Sequence, residues 1–303
     1  GDLPWPRVRA GMRRSLHRTA VCLLSTARTR ALSDEALCFS APGPYVVPVV
    51  SPAAARSSYP VRRIFCVGRN YADHAQEMQK MDARVTREIA AASEPFFFAK
   101  HPECLAVCAA KDAPLEFPPM TNDLHHEVEL VVALGPSLGE GRSNLSIEEA
   151  HEHIFGYAVG VDLTRRDLQA AAKASRKPWH CGKDFDGAAV IGEMVTADMV
   201  DAATASDETE KQATSRVLLL QLRVNGELRQ SGPTSAMIHS VPQLIASLSR
   251  YQRVKPGDLI YTGTPAGVSR LQIGDRVSAS AELHAQNGEA KKQVLSTCSF
   301  ALR

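Results

Sequence analysis

With 303 residues, 44% of them hydrophobic, the chain can bury a sizeable core as one large domain or two small ones, and its composition is not that of a disordered chain. The net charge of +2 hides an asymmetry: residues 1–33 hold seven arginines and one aspartate, leaving 28 basic against 32 acidic residues in the remainder. A mildly acidic body with no basic stripe interleaved with aromatics excludes a nucleic-acid surface.

From Met12 to Ser33 the segment MRRSLHRTAVCLLSTARTRALS has five arginines, several Ser and Thr and no acid, which fits a mitochondrial transit peptide. A basic unstructured tail has the same composition, and then the protein would be cytoplasmic. The apolar run AVCLL is too short for a transmembrane span, so no membrane partner is expected. Seven cysteines (Cys22, Cys38, Cys66, Cys104, Cys108, Cys181 and Cys298) form no C-x-x-C pair, which suits a reducing matrix or cytosol and gives no support to a zinc site.

Residues 34–60 are rich in proline and small residues and read as a linker with at most one strand, YVVPVV, before a globular domain spanning 61–303. RRIFCVG is a short strand, and NYADHAQEMQKM after it has a helical pattern. TNDLHHEVELVVALG, residues 121–135, reads as a strand whose alternation puts Glu127 and Glu129 on one face, roughly 7 Å apart. GYAVGVD is another strand, delivering Asp162 at its end. Thr164 and Asp167 then form a T-x-x-D capping box for a helix that closes at Arg176-Lys177-Pro178. Residues 201–215 read as a surface loop. Asn225-Gly226 marks a hairpin, Leu244, Ile245 and Leu248 mark a helix ending at a Pro256-Gly257 turn, and LIYTGTPAGV and DRVSASAEL close the domain as strands. Many short strands and few helices, without regular βαβ alternation, predict a β-rich α+β fold.

Three groups of residues carry chemistry. Glu127, Glu129 and Asp162, if their strands are neighbours, form an oxygen-only site for a hard cation, Mg²⁺ or Mn²⁺ ahead of Ca²⁺. His74 and Glu77, at i and i+3 of a helix, could orient an imidazole as a general base. Lys183 in WHCGKDF could stabilise a developing oxyanion. Each also has a plain alternative: a solvated strand end, a turn-forming aspartate, a solvated helix face, a solvent-facing lysine.

In combination, VGRNYADHAQEM, PFFFAK, HHEVELVVALG, GYAVGVDLTRRDLQ, KPWHCGKDF, VNGELRQ, TSAMI and PGDLIYTGTPAGV resemble the fumarylacetoacetate hydrolase family, in its acylpyruvase and oxaloacetate decarboxylase branch, from about Arg63 to Glu282. The resemblance implies a rolled mixed β-sheet with a few peripheral helices and a homodimer. It also assigns Glu127, Glu129 and Asp162 to the metal, His74, Glu77 and Lys183 to catalysis, and Arg69, Arg166, Gln169 and Thr264 to the substrate. The implied reaction is cleavage of the C3–C4 bond of a small 2-keto acid through a metal-stabilised pyruvate enolate. It would hydrolyse acylpyruvates, decarboxylate oxaloacetate, or both; keto–enol tautomerisation of oxaloacetate is the alternative at the same site. Residues 79–94 fall where the branch has a lid and are longer than usual, as is 201–215. A non-catalytic relative would be expected to have lost part of the site, and no dinucleotide or P-loop motif is present.

Overall fold

The computed structural model describes residues 43–50, 57–74, 93–204, 216–285 and 293–303, and those from Pro44 onward form one unit. The arginine-rich segment, Glu77, most of the expected lid and residues 205–215 lie outside the described residues.

The stretch expected to be a linker contributes two strands, β1 (Tyr45–Val50) and β2 (Ser57–Val61), which pair with each other and precede β3 (Arg63–Gly68). Alternation explains this: Val47, Val49, Tyr59 and Val61 point inward and are buried, while Pro60 is tolerated because β2 is an edge strand and Pro48 precedes the short pairing of β1 with β12 at Val49 and Val50. The chain continues through β4 (Phe96–Lys100), β5 (Leu105–Val107), β6 (Ala113–Leu115), β7 (Leu124–His125) and β8 (Val128–Leu134). A short helix, α1 (Ile147–Glu152), leads into β9 (Ile154–Asp162) and β10 (Thr164–Arg165). Helices α2 (Arg166–Ala174) and α3 (His180–Lys183) follow, then β11 (Ala189–Ile191), β12 (Met194–Thr196) and α4 (Ala197–Thr204).

The hairpin β13 (Arg216–Val224) and β14 (Glu227–Pro233) turns at Asn225-Gly226 with both residues at positive φ, 52° and 85°, as the sequence predicts. Helix α5 (Val241–Tyr251) starts with a Ser240–Gln243 capping box and buries Leu244, Ile245 and Leu248. β15 (Asp258–Tyr261), β16 (Arg270–Leu271), β17 (Arg276–Ala285) and β18 (Gln293–Leu302) complete the chain.

Among the described residues, ten strands form one mixed sheet in the order β2-β1-β12-β9-β8-β15-β3-β4, with β11 and β5 branching from β9. A second sheet runs β14-β13-β17-β18-β6, and β10-β7-β16 form a small third ladder. This is the β-rich α+β organisation that the sequence predicts. Every residue of β8 is buried, as expected of an apolar strand covered on both faces. The cover on one side is the second sheet, whose Leu220, Leu222, Ala279, Ala281 and Phe300 point into the core. Close approach there depends on Gly192, where a Cβ would lie 2.0 Å from the Thr297 carbonyl oxygen. The antiparallel β8–β9 pair therefore sits deep in the molecule, and it carries the acidic residues.

Candidate active site

The β8–β9 register sets Glu129 opposite Gly160 and, through the Asp162 N–H to Glu127 carbonyl bond of 2.8 Å, aligns Glu127 with Asp162. Directly opposed residues of an antiparallel pair share a face, so the three carboxylates converge. One ligand oxygen from each lies within 4.8 Å of the others, and all three side chains are buried. Gly160 lets Tyr261 and Val131 pack closely over the strand pair: a Cβ there would lie 2.7 Å from both Tyr261 Cε1 and Val131 Cγ2.

Lys183, at the end of α3, is 3% exposed, and its ammonium donates to Glu127 Oε2 at 2.8 Å and Asp162 Oδ2 at 2.6 Å. Arg166, opening α2, donates to Glu127 Oε1 at 2.5 Å and to Gln169 Oε1 at 2.7 Å. Burial opposes ionisation of Glu127, but Lys183, then Arg166 and His74, hold it well below the usual carboxylate range. Burial likewise opposes the Lys183 charge, yet Asp162 and Glu127 raise it above an ordinary lysine. Glu129 behaves oppositely. It accepts the Gly263 N–H at 2.7 Å, and burial followed by the Asp162 and Glu127 charges pushes its carboxyl well above the ordinary value. A divalent cation would relieve that repulsion, and an all-oxygen donor set with open positions suits a hard ion. The residues therefore fit a divalent metal.

His74, Arg69, Gln169 and Thr264 line the same cleft as Glu127, Glu129, Arg166 and Lys183. His74 is buried in a helical stretch at 72–74, while Glu77 is outside the described residues. Asp162 is buried beside Glu127 and Lys183 but does not line that cleft. The capping box expected at Thr164 and Asp167 does not form. Thr164 pairs in register with His125, so α2 starts two residues later with Arg165 as its N-cap. Asp167 instead accepts from Thr121 Oγ1 at 2.7 Å and the Asn122 N–H at 3.1 Å, tethering the loop that leads into the acidic strand.

Several participants escape a reading of the sequence. Lys100 of β4 is fully buried; its ammonium ion-pairs with Asp162 Oδ1 at 2.7 Å and also donates to the Leu163 and Lys183 carbonyls. Gln230 of β14 accepts from the Val128 N–H at 3.0 Å and donates to Thr264 Oγ1 and the Pro265 carbonyl, each at 2.8 Å, coupling the acidic strand to the TGTP turn. Its Oε1 also meets His126 Nδ1 at 2.8 Å, and burial pushes that imidazole down to about 4, so His126 is neutral near pH 7. Phe98, Lys173 and Trp179 complete the cleft wall. Lys173 had a usable signal, because it follows Arg166 and Gln169 at i+7 on one helix face. Lys100 and Gln230 end two of the segments that carry the family resemblance, PFFFAK and VNGELRQ, but no local pattern marks their roles, since their partners come from distant strands.

Known proteins resemble this chain in sequence and in fold. The family model "Fumarylacetoacetate (FAA) hydrolase C-terminal" matches residues 63–295. An oxaloacetate tautomerase, YcgM of Escherichia coli K12, is 38% identical over 226 residues, covering 75% of this chain and 91% of its own. The mitochondrial oxaloacetate tautomerase FAHD1 of Bos taurus is 37% identical over 218 residues, covering 72% and 86%. Among solved structures, a fumarylpyruvate hydrolase from Pseudomonas aeruginosa in complex with Mn²⁺ and pyruvate superposes with a TM-score of 0.72 at 34% identity, over 88% of this chain and 99% of that one.

Proposed function

Because the chain belongs to the fumarylacetoacetate hydrolase family, an enzyme family, we propose that it cleaves the C3–C4 bond of small 2-keto acids, hydrolysing acylpyruvates and decarboxylating oxaloacetate. Glu127, Glu129 and Asp162 would hold Mg²⁺, with Mn²⁺ as the substitute. When bound, the ion supplies Lewis-acid polarisation of the substrate's keto-acid end. Arg166, Gln169 and Thr264 orient that end. The Lys183 ammonium, pre-positioned in a buried and water-poor site, stabilises negative charge as it builds on the pyruvate oxygen. His74, oriented by Glu77, takes the proton of the water that attacks the acyl carbonyl; oxaloacetate needs no such water, because its C4 carboxylate leaves as CO₂.

The observation that carries this reading is that His74 lines the same cleft as the acidic floor and the buried Lys183. A water-activating base and an anion-stabilising cation thus flank a single substrate position. A second reading, keto–enol tautomerisation of oxaloacetate, is favoured by the Escherichia coli and Bos taurus relatives, and would use the same residues to move a C3 proton without breaking a C–C bond.

An NMR time course with Mg²⁺ and either acetylpyruvate or oxaloacetate separates the two. The expected outcome is pyruvate with acetate or CO₂, absent with EDTA and in Glu127→Ala, and with His74→Ala losing hydrolysis more severely than decarboxylation. Accelerated keto–enol exchange of oxaloacetate without pyruvate would install the tautomerase reading, and equal losses in His74→Ala would remove the assigned division of labour.

The same reading makes the enzyme a mitochondrial homodimer. The acid-free, arginine-rich stretch from Met12 to Ser33 and the mitochondrial Bos taurus relative support the location. Residues 1–42 fused to a fluorescent reporter should direct it into mitochondria, a cytosolic signal would refute import, and a monomer mass by light scattering would refute the dimer.

A further inference from the structure

Gln230 does not line the cleft, yet its amide is bonded to a residue that does. It is 1% exposed and follows an irregularity in the β13–β14 ladder: Leu222 pairs with Gln230 and Arg223 with Leu228, so Arg229 is an extra, unpaired residue. Such a bulge twists a strand locally and re-aims the side chain beside it. Glu227, Leu228 and Arg229 are accordingly all exposed before Gln230 turns inward. The TGTP turn meets it there. A Cβ at Gly232 would lie 2.6 Å from Pro265 Cβ, and one at Gly267 would lie 2.2 Å from the Arg229 carbonyl oxygen, so two glycines allow the turn to press on the strand.

Backbone groups fix which end of the amide faces which neighbour. The Val128 N–H, 3.0 Å away, can only donate and so requires Oε1; the Pro265 carbonyl, 2.8 Å away, can only accept and so requires Nε2. Oε1 also meets His126 Nδ1 at 2.8 Å, and that nitrogen must carry the proton of the neutral imidazole. His126 Nε2 is then left to accept from Ser269 Oγ at 2.8 Å.

The second Nε2 proton of Gln230 goes to Thr264 Oγ1, also at 2.8 Å. Thr264 is thus an acceptor on its buried side. Its own proton meets the Pro265 carbonyl only at 3.5 Å, beyond the usual range of an O–H bond, so it is available to the cleft that Thr264 lines. A group that only accepts, such as a carboxylate, completes that arrangement.

Resting on the reading that Thr264 orients a keto acid, we infer that Gln230 is a positioning residue: it holds the Thr264 hydroxyl as a donor toward the substrate's carboxylate. A hydroxyl otherwise rotates between donating and accepting, and one that presents a lone pair would repel that anion. The strength of the contact therefore depends on a side chain outside the cleft wall.

The test is a double-mutant cycle on acetylpyruvate in saturating Mg²⁺, with pyruvate release as readout. Thr264→Val removes the hydroxyl and should raise KM about tenfold or more with kcat nearly unchanged, the pattern of a lost uniform contact to a charged group. Gln230→Met frees the hydroxyl to rotate and should raise KM about threefold or more. The double variant should be no worse than Thr264→Val, because Gln230 acts through that hydroxyl. Pyruvate carries the same keto-acid end, and its dissociation constant, by calorimetry with Mg²⁺, should follow the same pattern without turnover. Thermal melting checks folding, and Gln230→Glu, which keeps the acceptor for Val128 and His126, enters the cycle if the methionine variant does not fold. Losses that add in the double variant, or a Gln230→Met loss confined to kcat, overturn the inference and make Gln230 a support of the acidic strand, while leaving C–C cleavage in place. Pyruvate that binds with the expected coupling, beside a wild type that releases none from acetylpyruvate or oxaloacetate, overturns the cleavage reading and keeps the inference. Absence of both release and binding overturns both.

Discussion

Glu129→Gln is expected to make the metal-free protein more stable and the metal-loaded protein inactive. Glu129 is buried, and its oxygen accepts the Gly263 N–H, a bond that an amide oxygen can keep. Burial and the charges of Asp162 and Glu127 raise its pKa well above the ordinary value. A carboxyl raised in the folded state favours folding at low pH, and that contribution disappears as pH rises through the folded pKa. At pH 8 in EDTA, far above the ordinary carboxyl value, the wild type has given up part of that contribution. Glutamine never carries the charge, and its amide N–H groups can donate toward the neighbouring carboxylates. The variant's melting temperature should therefore exceed that of the wild type in EDTA, by about 2–4 °C for each kcal/mol recovered in a domain of this size.

Adding Mg²⁺ should reverse the order. Ligand present at a hundredfold above its dissociation constant stabilises the wild type by about 2.7 kcal/mol. The variant, with one anionic ligand fewer, should gain far less, and its pyruvate release should fall on the order of a thousandfold, about 4 kcal/mol of transition-state stabilisation. Calorimetric scans with and without Mg²⁺, beside the pyruvate assay, read both halves. A variant that is less stable than the wild type in EDTA would show that Glu129 is a structural group. A variant that keeps its Mg²⁺ response would remove it from the metal site.

That opposition of stability and function also explains what could be read from the sequence. Strand alternation put Glu127 and Glu129 on one face, and apolar residues on both faces from Leu130 onward placed them near the interior, so a demand for a counter-charge was legible. The identity of the third member was not, because alternation says nothing about which strand lies alongside. Only the β8–β9 register brings Asp162 opposite Glu127. Local rules failed where a tertiary contact outbid them: Thr164 has the identity and spacing of a helix cap, but pairing with His125 pulls it into a strand. The proline-rich stretch before Val61 erred in the same direction, since Pro48 and Pro60 suggested a linker while alternating Val47, Val49, Tyr59 and Val61 built two strands.

Lys100 is the extreme case, and its replacement carries the second large effect. It ends β4, which borders β3 at the edge of the main sheet, yet its side chain reaches across to Asp162 Oδ1 at 2.7 Å and to the Leu163 and Lys183 carbonyls. One buried ammonium thus fixes the orientation of a carboxylate of the acidic triad and the backbone that presents Lys183. Lys100→Met keeps the stem but leaves two carbonyls without that donor and a buried carboxylate oxygen without that cation. Breaking a buried ion pair from one side costs about 3–5 kcal/mol, so the unfolding midpoint in urea should fall markedly with an unchanged m-value.

If the residue served stability alone, saturating Mg²⁺ at a temperature where the variant is fully folded would restore activity. Because it also sets Asp162 and Lys183, the folded variant should keep both a weakened Mg²⁺ response and a kcat depressed by at least about tenfold, the range seen when a group that orients a ligand is removed. Full recovery of kcat in the folded, metal-saturated variant would reduce Lys100 to a core residue. Persistent loss would extend the site to a lysine that touches neither substrate nor ion, and would explain how Asp162 and Glu127 can be packed so closely in the interior: Lys100 and Lys183 hold the first and Lys183 and Arg166 the second, which leaves Glu129, held by the Gly263 N–H, as the carboxylate without a contacting cation among the described residues.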